Sequence, residues 1–231
     1  MINALVTGAS CGIGLAISRM LTADGIHVYG IGRSFNEALP PDGFTPVICD
    51  MSDTARLSEC IGTLRREVPF SIVIHNAGAG YFGPHEELNA QKIHEMTCVN
   101  LEAPMLITNL LLRDIKKANG TFIFISSVTA KKSNTHGCAY GATKAGLTSF
   151  AKSLFDEVRK YNVRVAVIHP DMTKSSFYRN ADFEADDDAY AHMLPDDVAG
   201  AVHAILNARD GIVISDITLT PQYHRIKRKK N

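Results

Sequence analysis

The chain has 231 residues, 45% of them hydrophobic and 21% charged, and its 24 basic side chains balance its 24 acidic ones. That length and apolar content suit one well-buried domain, spanning 1–231, and exclude both a pair of independent cores and a disordered polymer. The charge balance offers no one-signed field for nucleic acid or a membrane surface, and no apolar run is long enough to span a bilayer. The expected partner is therefore a small molecule.

Five cysteines, Cys11, Cys49, Cys60, Cys98 and Cys138, are odd in number and widely scattered, without the close pairs of a zinc or disulfide scaffold. They read as reduced thiols. No basic and apolar leader precedes the first strand-like run, so the cytoplasm is the expected compartment.

The first element is the run INALV, followed at once by GASCGIG, with Gly8, Gly12 and Gly14 between the strand and a helix whose apolar face is Ile13, Ala16, Ile17 and Met20. A strand, a tight turn and a helix start leave backbone N–H groups pointing outward at the positive end of the helix dipole. Such a bend is a site for phosphate, and glycine lets the phosphate approach the backbone. Next come HVYGIG and PVIC as strands, a helix with Leu57, Ile61 and Leu64 on one face, then the strands FSIVIH, TFIFIS, VRVAVI and GIVISDITL. Strands that are apolar throughout, alternating with helices, predict a parallel sheet covered on both faces, because each crossover must return the chain to the same end of the sheet.

Between the sixth and seventh strands, residues 172–194 are polar and acidic, and read as a lid-like insertion before the helix PDDVAGAVHAIL. Within it, Asp186, Asp187 and Asp188 read as a solvated helix start. The terminal RIKRKKN reads as a solvated cationic tail. His75, His136 and His169 show no ligand spacing, so they read as structural and no metal site is expected.

The octet TGASCGIG resembles the TGxxxGxG motif of the short-chain dehydrogenase/reductase family, and the likeness continues along nearly the whole chain. HNAGAG resembles the family's NNAG, with Asn76, Ala77 and Gly78 in register; TCVNLEAP carries Asn100; ISSVTA carries Ser126 and Ser127; and YGATK carries Tyr140 and Lys144. Two positions depart from the pattern. Asp171 stands where glycine is usual after the sixth strand, and Cys11 where some NADP-preferring relatives have a basic residue.

The resemblance implies a single-domain Rossmann fold, a doubly wound seven-stranded parallel sheet with the nucleotide at the carboxyl ends of its strands. It implies a dinucleotide seated on Gly8, Ser10, Cys11, Gly12, Ile13 and Gly14, with Asp50 and Met51 at the adenine, Asn76, Ala77 and Gly78 along the cleft, and Pro170 and Thr173 in the nicotinamide loop. It further implies that Tyr140 is the acid and base, that Lys144 also holds the nicotinamide ribose, that Ser127 bonds the substrate oxygen, and that Asn100 anchors a water. Relatives pair through the helices around 89–117 and 140–160, so a homodimer or homotetramer is expected.

Two readings come from the residues beside this resemblance. Lys144 follows Tyr140 by four places, one helical turn, and a nearby ammonium favours the phenolate, so the Tyr140 pKa is expected to fall from roughly 10 toward neutrality. At the end of the second strand Gly32 occupies the place of the acidic residue that reads an NAD ribose, and Arg33 follows; a guanidinium suits a phosphate, so NADP(H) is expected over NAD(H), with Ser34 as a second contact. The expected function is NADPH-dependent oxidoreduction of a small ketone, aldehyde or alcohol. Alternatives are a 3-oxoacyl carrier protein reductase, disfavoured because the acidic stretch 182–188 would repel an acidic carrier, and a non-catalytic NADP-sensing protein, disfavoured by the intact Tyr140 and Lys144.

Overall fold

The computed structural model describes residues 2–35, 39–40 and 42–229. Seven strands run parallel in one sheet: β1 (Asn3–Thr7), β2 (His27–Gly32), β3 (Phe44–Ile48), β4 (Ile72–His75), β5 (Thr121–Ile125), β6 (Arg164–Pro170) and, after a short outlying strand β7 (Phe183–Ala185), β8 (Asp216–Leu219). Their spatial order is β3-β2-β1-β4-β5-β6-β8. From β1 the chain winds outward to β3, then crosses back to β4 and winds the other way, so a crevice opens at the carboxyl ends of β1 and β4 where the direction reverses.

Among the described residues, six α-helices cover the two faces: α1 (Gly12–Ala23), α2 (Thr54–Glu67), α3 (Ala90–Thr97), α4 (Ala103–Lys117), α5 (Cys138–Val158) and α6 (Pro195–Leu206). Successive strand residues point to opposite faces, and the core divides accordingly. Leu5, Val73, Phe122 and Phe124 meet Leu57 and Ile61 of α2, Ile107 and Leu111 of α4, and Leu147 and Leu154 of α5. On the other face Val6, Ile74 and Ile123 meet Ile17 and Leu21 of α1 and Val198 and Val202 of α6. The uninterrupted apolar strands of the sequence follow from this two-sided burial. Among the described residues, no helix is long and apolar enough to cross a membrane.

Two expectations need correction. Asp186, Asp187 and Asp188 do not start a helix; α6 begins at Pro195, where Asp197 accepts a hydrogen bond from the Leu194 N–H. The acidic run instead faces the cationic tail, whose residues Ile226–Arg228 form a strand, β9, antiparallel to β7 with Phe183 opposite Arg228 and Ala185 opposite Ile226. Lys227 Nζ lies 2.7 Å from Asp187 and Arg225 Nη1 lies 3.5 Å from Asp188. Read separately, each charge run asks only for water; brought together across some forty residues, each satisfies the other. Lys230 and Asn231, at the end of the tail, lie outside the described residues. The final strand is also shorter than GIVISDITL, beginning only at Asp216.

His75, at the end of β4, is a core residue. Its ring stacks on Phe124 at 4.6 Å and its Nε2 lies 3.0 Å from Thr108 Oγ1. Burial pushes its pKa down to about 3, from an ordinary 6.5. Below pH 6.5 the unfolded chain therefore takes up a proton that folded His75 refuses, so its contribution to stability is complete above 6.5 and is lost as pH falls toward 3. Urea unfolding between pH 7 and pH 5 should show a loss in the parent protein that His75→Gln reduces by up to ~1.4 kcal/mol per pH unit; parallel slopes in the two proteins would contradict this.

Candidate active site

The turn between β1 and α1 is built by its glycines in two different ways. Gly8 and Gly12 have φ of 67° and 54°, the left-handed region, and a Cβ on Gly8 would come within 2.8 Å of the Ala77 Cα. Gly14 has no such backbone; a Cβ there would collide with the Gly8 carbonyl, so its role is to let α1 lie against the turn. Helix α1 starts with no side-chain cap on its first N–H groups and no acidic residue in its first turn. Those donors, with the dipole behind them, face the crevice.

The crevice is held at a fixed width by polar side chains at the strand ends. Thr7 Oγ1 accepts hydrogen bonds from the N–H groups of Asn76 and Ala77, both at 3.0 Å, and Asn76 Nδ2 donates to the carbonyls of Thr7 and Gly8 at 3.0 and 3.2 Å. Asn100 braces the next stretch. It sits in a π-helical turn, Cys98–Glu102, between α3 and α4, and its amide is fully engaged: Oδ1 accepts from Ala79 N at 2.8 Å, while Nδ2 donates to Ala79 O at 2.9 Å and Thr143 Oγ1 at 3.0 Å. Asn100 thus ties the loop after β4 to helix α5.

The resulting cleft has a volume of about 250 Å3. Gly8, Ser10, Cys11, Gly12 and Ile13 line it, as do Arg33, Asp50 and Met51, Asn76, Ala77 and Gly78, and Ser127, Tyr140, Lys144, Pro170 and Thr173. Gly14, Ser34 and Asn100 are not on its wall. The loop after Gly80 and the lid reach the cleft as the sequence suggests, though it does not single out their residues there: Tyr81, whose hydroxyl donates to Glu95 Oε2 at 2.6 Å, and Ser175 to Asn180. The lid reaches the glycine turn, where Ser176 Oγ lies 3.9 Å from Cys11 Sγ. Its aromatic residues were the only available signal, and nothing in their spacing marked an inward face. Asp171 accepts a hydrogen bond from Met172 N at 2.9 Å and lies 3.5 Å from Lys132 Nζ, so the residue in the usual glycine's place holds its own loop.

At the β5 end of the cleft, Ser126 and Ser127 part company. Ser126 Oγ turns to helix α5, donating to Lys144 O at 3.1 Å and lying 2.9 Å from Thr148 Oγ1; Ser127 lines the cleft beside Tyr140, where its hydroxyl favours the phenolate. The expected effect of Lys144 on Tyr140 needs correction. Tyr140 is 7% exposed and packs against Phe82 and Phe177 at 5.4 and 5.7 Å, and this burial pushes its pKa above the ordinary value, with only the neighbouring Ser127 hydroxyl opposing. Lys144 Nζ donates to the Ile125 carbonyl at 2.9 Å and lies 5.9 Å from the centre of the Tyr140 ring; burial lowers its own pKa to about 8. Loss of water around a phenolate outweighs an ammonium that is not in contact with it.

A family model described as short chain dehydrogenase matches residues 3–186. The chain is 30% identical to the "Probable short-chain type dehydrogenase/reductase VdlC" of Helicobacter pylori, over 98% of this chain and 86% of that one. It is 27% identical to a "Probable NADP-dependent dehydrogenase" of Haemophilus influenzae, over 95% and 93%. Among solved structures it is similar to an alcohol dehydrogenase from the archaeon Thermococcus sibiricus complexed with 5-hydroxy-NADP, with a TM-score of 0.87, 26% identity, and coverage of 97% and 98%.

The two kinds of glycine separate by substitution. Gly14→Ala should lower the unfolding free energy by about 1–3 kcal/mol through overpacking. Gly62→Ala, at an α2 position where a Cβ would meet nothing within 4 Å, should raise it by roughly 0.4–1 kcal/mol. Urea titration of both variants checks the contrast, which fails if Gly14→Ala is tolerated equally well.

Proposed function

The chain belongs to the short-chain dehydrogenase family of oxidoreductases, and on that premise we propose that it transfers hydride between NADP(H) and a small ketone, aldehyde or alcohol, acting chiefly as an NADPH-dependent carbonyl reductase. The observation that carries this reading is a single cleft lined both by the glycine turn at the head of α1 and by Ser127, Tyr140 and Lys144.

The nucleotide fits these residues because the turn keeps side chains out of the cradle and leaves its donors uncapped. Backbone N–H groups from Ser10 to Ile13 would hold the pyrophosphate. Arg33 would meet the 2′-phosphate; Ser34 lies outside the cleft wall and is left without a part. Asp50 and Met51 would flank the adenine, with the Asp50 carboxylate accepting hydrogen bonds from Ser52 N at 2.9 Å and Ser52 Oγ at 2.8 Å. Asn76, Ala77 and Gly78 would border the nicotinamide half, with Pro170 and Thr173 opposite. Bound there, the nicotinamide supplies or accepts the hydride.

The protein's own part is to manage a proton and a charge. A phenol held above its ordinary pKa keeps its proton at neutral pH, and so Tyr140 is poised as an acid that protonates the substrate oxygen as negative charge grows on it. Ser127, on the same cleft wall, would donate to the same oxygen and steady it. Lys144, about six ångströms from the phenol ring, provides the positive field that makes proton release affordable, and would hold the ribose. The name of the Haemophilus relative and the NADP-type ligand of the Thermococcus structure support the choice of nucleotide. In this reading residues 1–231 act as one catalytic domain, 172–194 is its lid, and copies associate as a homodimer or homotetramer in the cytoplasm. The ion pairs of Asp187 and Asp188 with the tail reduce the repulsion that counted against an acidic carrier, so carrier-bound and free carbonyl compounds both belong in a substrate panel.

Tyr140→Phe should leave NADPH binding, followed by its fluorescence, intact while carbonyl reduction falls by roughly 10² to 10⁴; equal turnover by both proteins would remove Tyr140 as the acid. Arg33→Ala should weaken NADPH binding by roughly tenfold to a hundredfold, the worth of a charge-assisted hydrogen bond, and leave NADH binding almost unchanged. A parent protein that binds NADH more tightly than NADPH would refute the assignment of Arg33.

A further inference from the structure

His169 is an imidazole with no exposed surface, placed in β6 next to Pro170 and outside the cleft wall. Its Nδ1 lies 3.2 Å from the backbone oxygen of Ser127. A carbonyl only accepts, so Nδ1 carries the proton and donates. Burial holds the pKa of the ring below the ordinary histidine value, which keeps it neutral. Nε2 lies 3.3 Å from Asp216 Oδ2 but has no hydrogen-bond partner among the described residues. That carboxylate is bound instead by Lys131 at Oδ1, with Lys152 3.8 Å from Oδ2. Among the described residues the geometric hydrogen bond of His169 is the one to Ser127, while Asp216 faces the other ring nitrogen and opposes the effect of burial on its pKa.

The backbone explains why a side chain is needed there. β5 and β6 pair in parallel with Ile125 opposite Ile168, and Ser126 N donates to Ile168 O at 2.8 Å. The next rung of a parallel ladder would run from the N–H of residue 170 to the Ser126 carbonyl, but residue 170 is proline and has no N–H. Backbone pairing therefore stops just before Ser127. The other bonds of Ser127, from Thr129 N to its Oγ at 3.2 Å and from Ala130 N to its carbonyl at 3.0 Å, lie within its own turn and would move with it.

We propose that His169 is a positioning residue for the Ser127–Tyr140 pair: through Nδ1 it carries the β5–β6 tie past Pro170 and so fixes the Ser127 hydroxyl against Tyr140. This rests on the reading of Ser127 and Tyr140 as the reacting pair. The test labels the full chain with [13Cζ]tyrosine and follows the Tyr140 resonance, identified among the seven tyrosines by its loss in Tyr140→Phe. His169→Leu, which removes the donor, should move that resonance in the direction in which Ser127→Ala moves it. His169→Asn, which keeps an N–H near the Nδ1 position, should return it toward the parent value. An unmoved resonance in His169→Leu overturns the proposal, and so does an unmoved one in Ser127→Ala. Should His169→Leu fail to fold, His169→Met, which also carries no N–H donor, takes its place under the same criteria. With 2,3-butanedione as the carbonyl probe, kcat should fall roughly tenfold to a hundredfold in the Leu variant with KM for NADPH unchanged, and recover in the Asn variant; a fall that Asn does not rescue marks a packing role and defeats the proposal. The resonance needs no turnover, so a parent protein that reduces no carbonyl would refute the proposed reaction while this role is still decided.

Discussion

The reversal of strand order between β1 and β4, clamped by Thr7 and Asn76, is the constraint on which the rest of the site hangs. A reversal opens a crevice in any doubly wound sheet, but it does not set the crevice's width. Here one hydroxyl accepts from two successive backbone N–H groups of the loop after β4, and one amide donates to two successive carbonyls at the end of β1 and the start of its loop. Each polar group is part-buried and paired, so shifting either loop would leave several donors or acceptors without partners at once. Gly14 adds the steric half of the same constraint by bringing α1 down onto Gly8. Loops that elsewhere would be the mobile parts of a fold are thereby fixed relative to the sheet.

The chemistry of the cleft turns on which electrostatic effect wins at Tyr140. Proximity on a helix gives Lys144 the chance to act on the phenol, and burial decides the outcome. At 7% and 3% exposure, both groups have lost the water that would support their charged forms, so the phenol pKa rises and the amine pKa falls. Each shift favours the neutral form of its own group. Negative charge arriving at a substrate oxygen would reverse the preference, because a proton moving from Tyr140 then relieves that charge beside an amine whose pKa of about 8 still leaves it mostly protonated at neutral pH. Low dielectric strengthens this coupling as surely as it penalises an isolated charge.

The cover over that site is held differently from the sheet. Residues 172–194 are anchored beside Met172 by two backbone hydrogen bonds, Met193 N to Met172 O and Lys174 N to Met193 O, both 2.8 Å. Farther out, β7 and β9 form a three-residue ladder, and Lys229 Nζ reaches the Tyr178 carbonyl at 2.7 Å. The ion pairs along this strap are exposed and are screened by salt. Phe82, by contrast, lies 5.3 to 6.3 Å from the rings of Tyr140, Phe177, Tyr178 and Phe183, so the lid rests on the site mainly through apolar contact. The charges set where the lid's edge runs, and the aromatic cluster seats it.

What could be read in the sequence follows the range of the interactions concerned. Strands apolar on every residue, helices with an apolar face and the glycine turn all write their periodicity or their backbone demand into adjacent residues. The sheet, its two covered faces and the cleft at the head of α1 were legible for that reason. The helix start expected at Asp186 to Asp188, and the pairing of that run with the exposed RIKRKKN tail, went unread because each run was weighed against its neighbours in sequence, while the partner lay some forty residues away. The same limit explains Lys144: four-residue spacing told of a shared face with Tyr140, but nothing local told that the amine would turn to the carbonyl of Ile125 on another element. His169 is the hardest case. Its neighbour Pro170 announces a missing N–H in β6, yet which carbonyl loses its donor is decided by register with β5, and register is a property of two strands together.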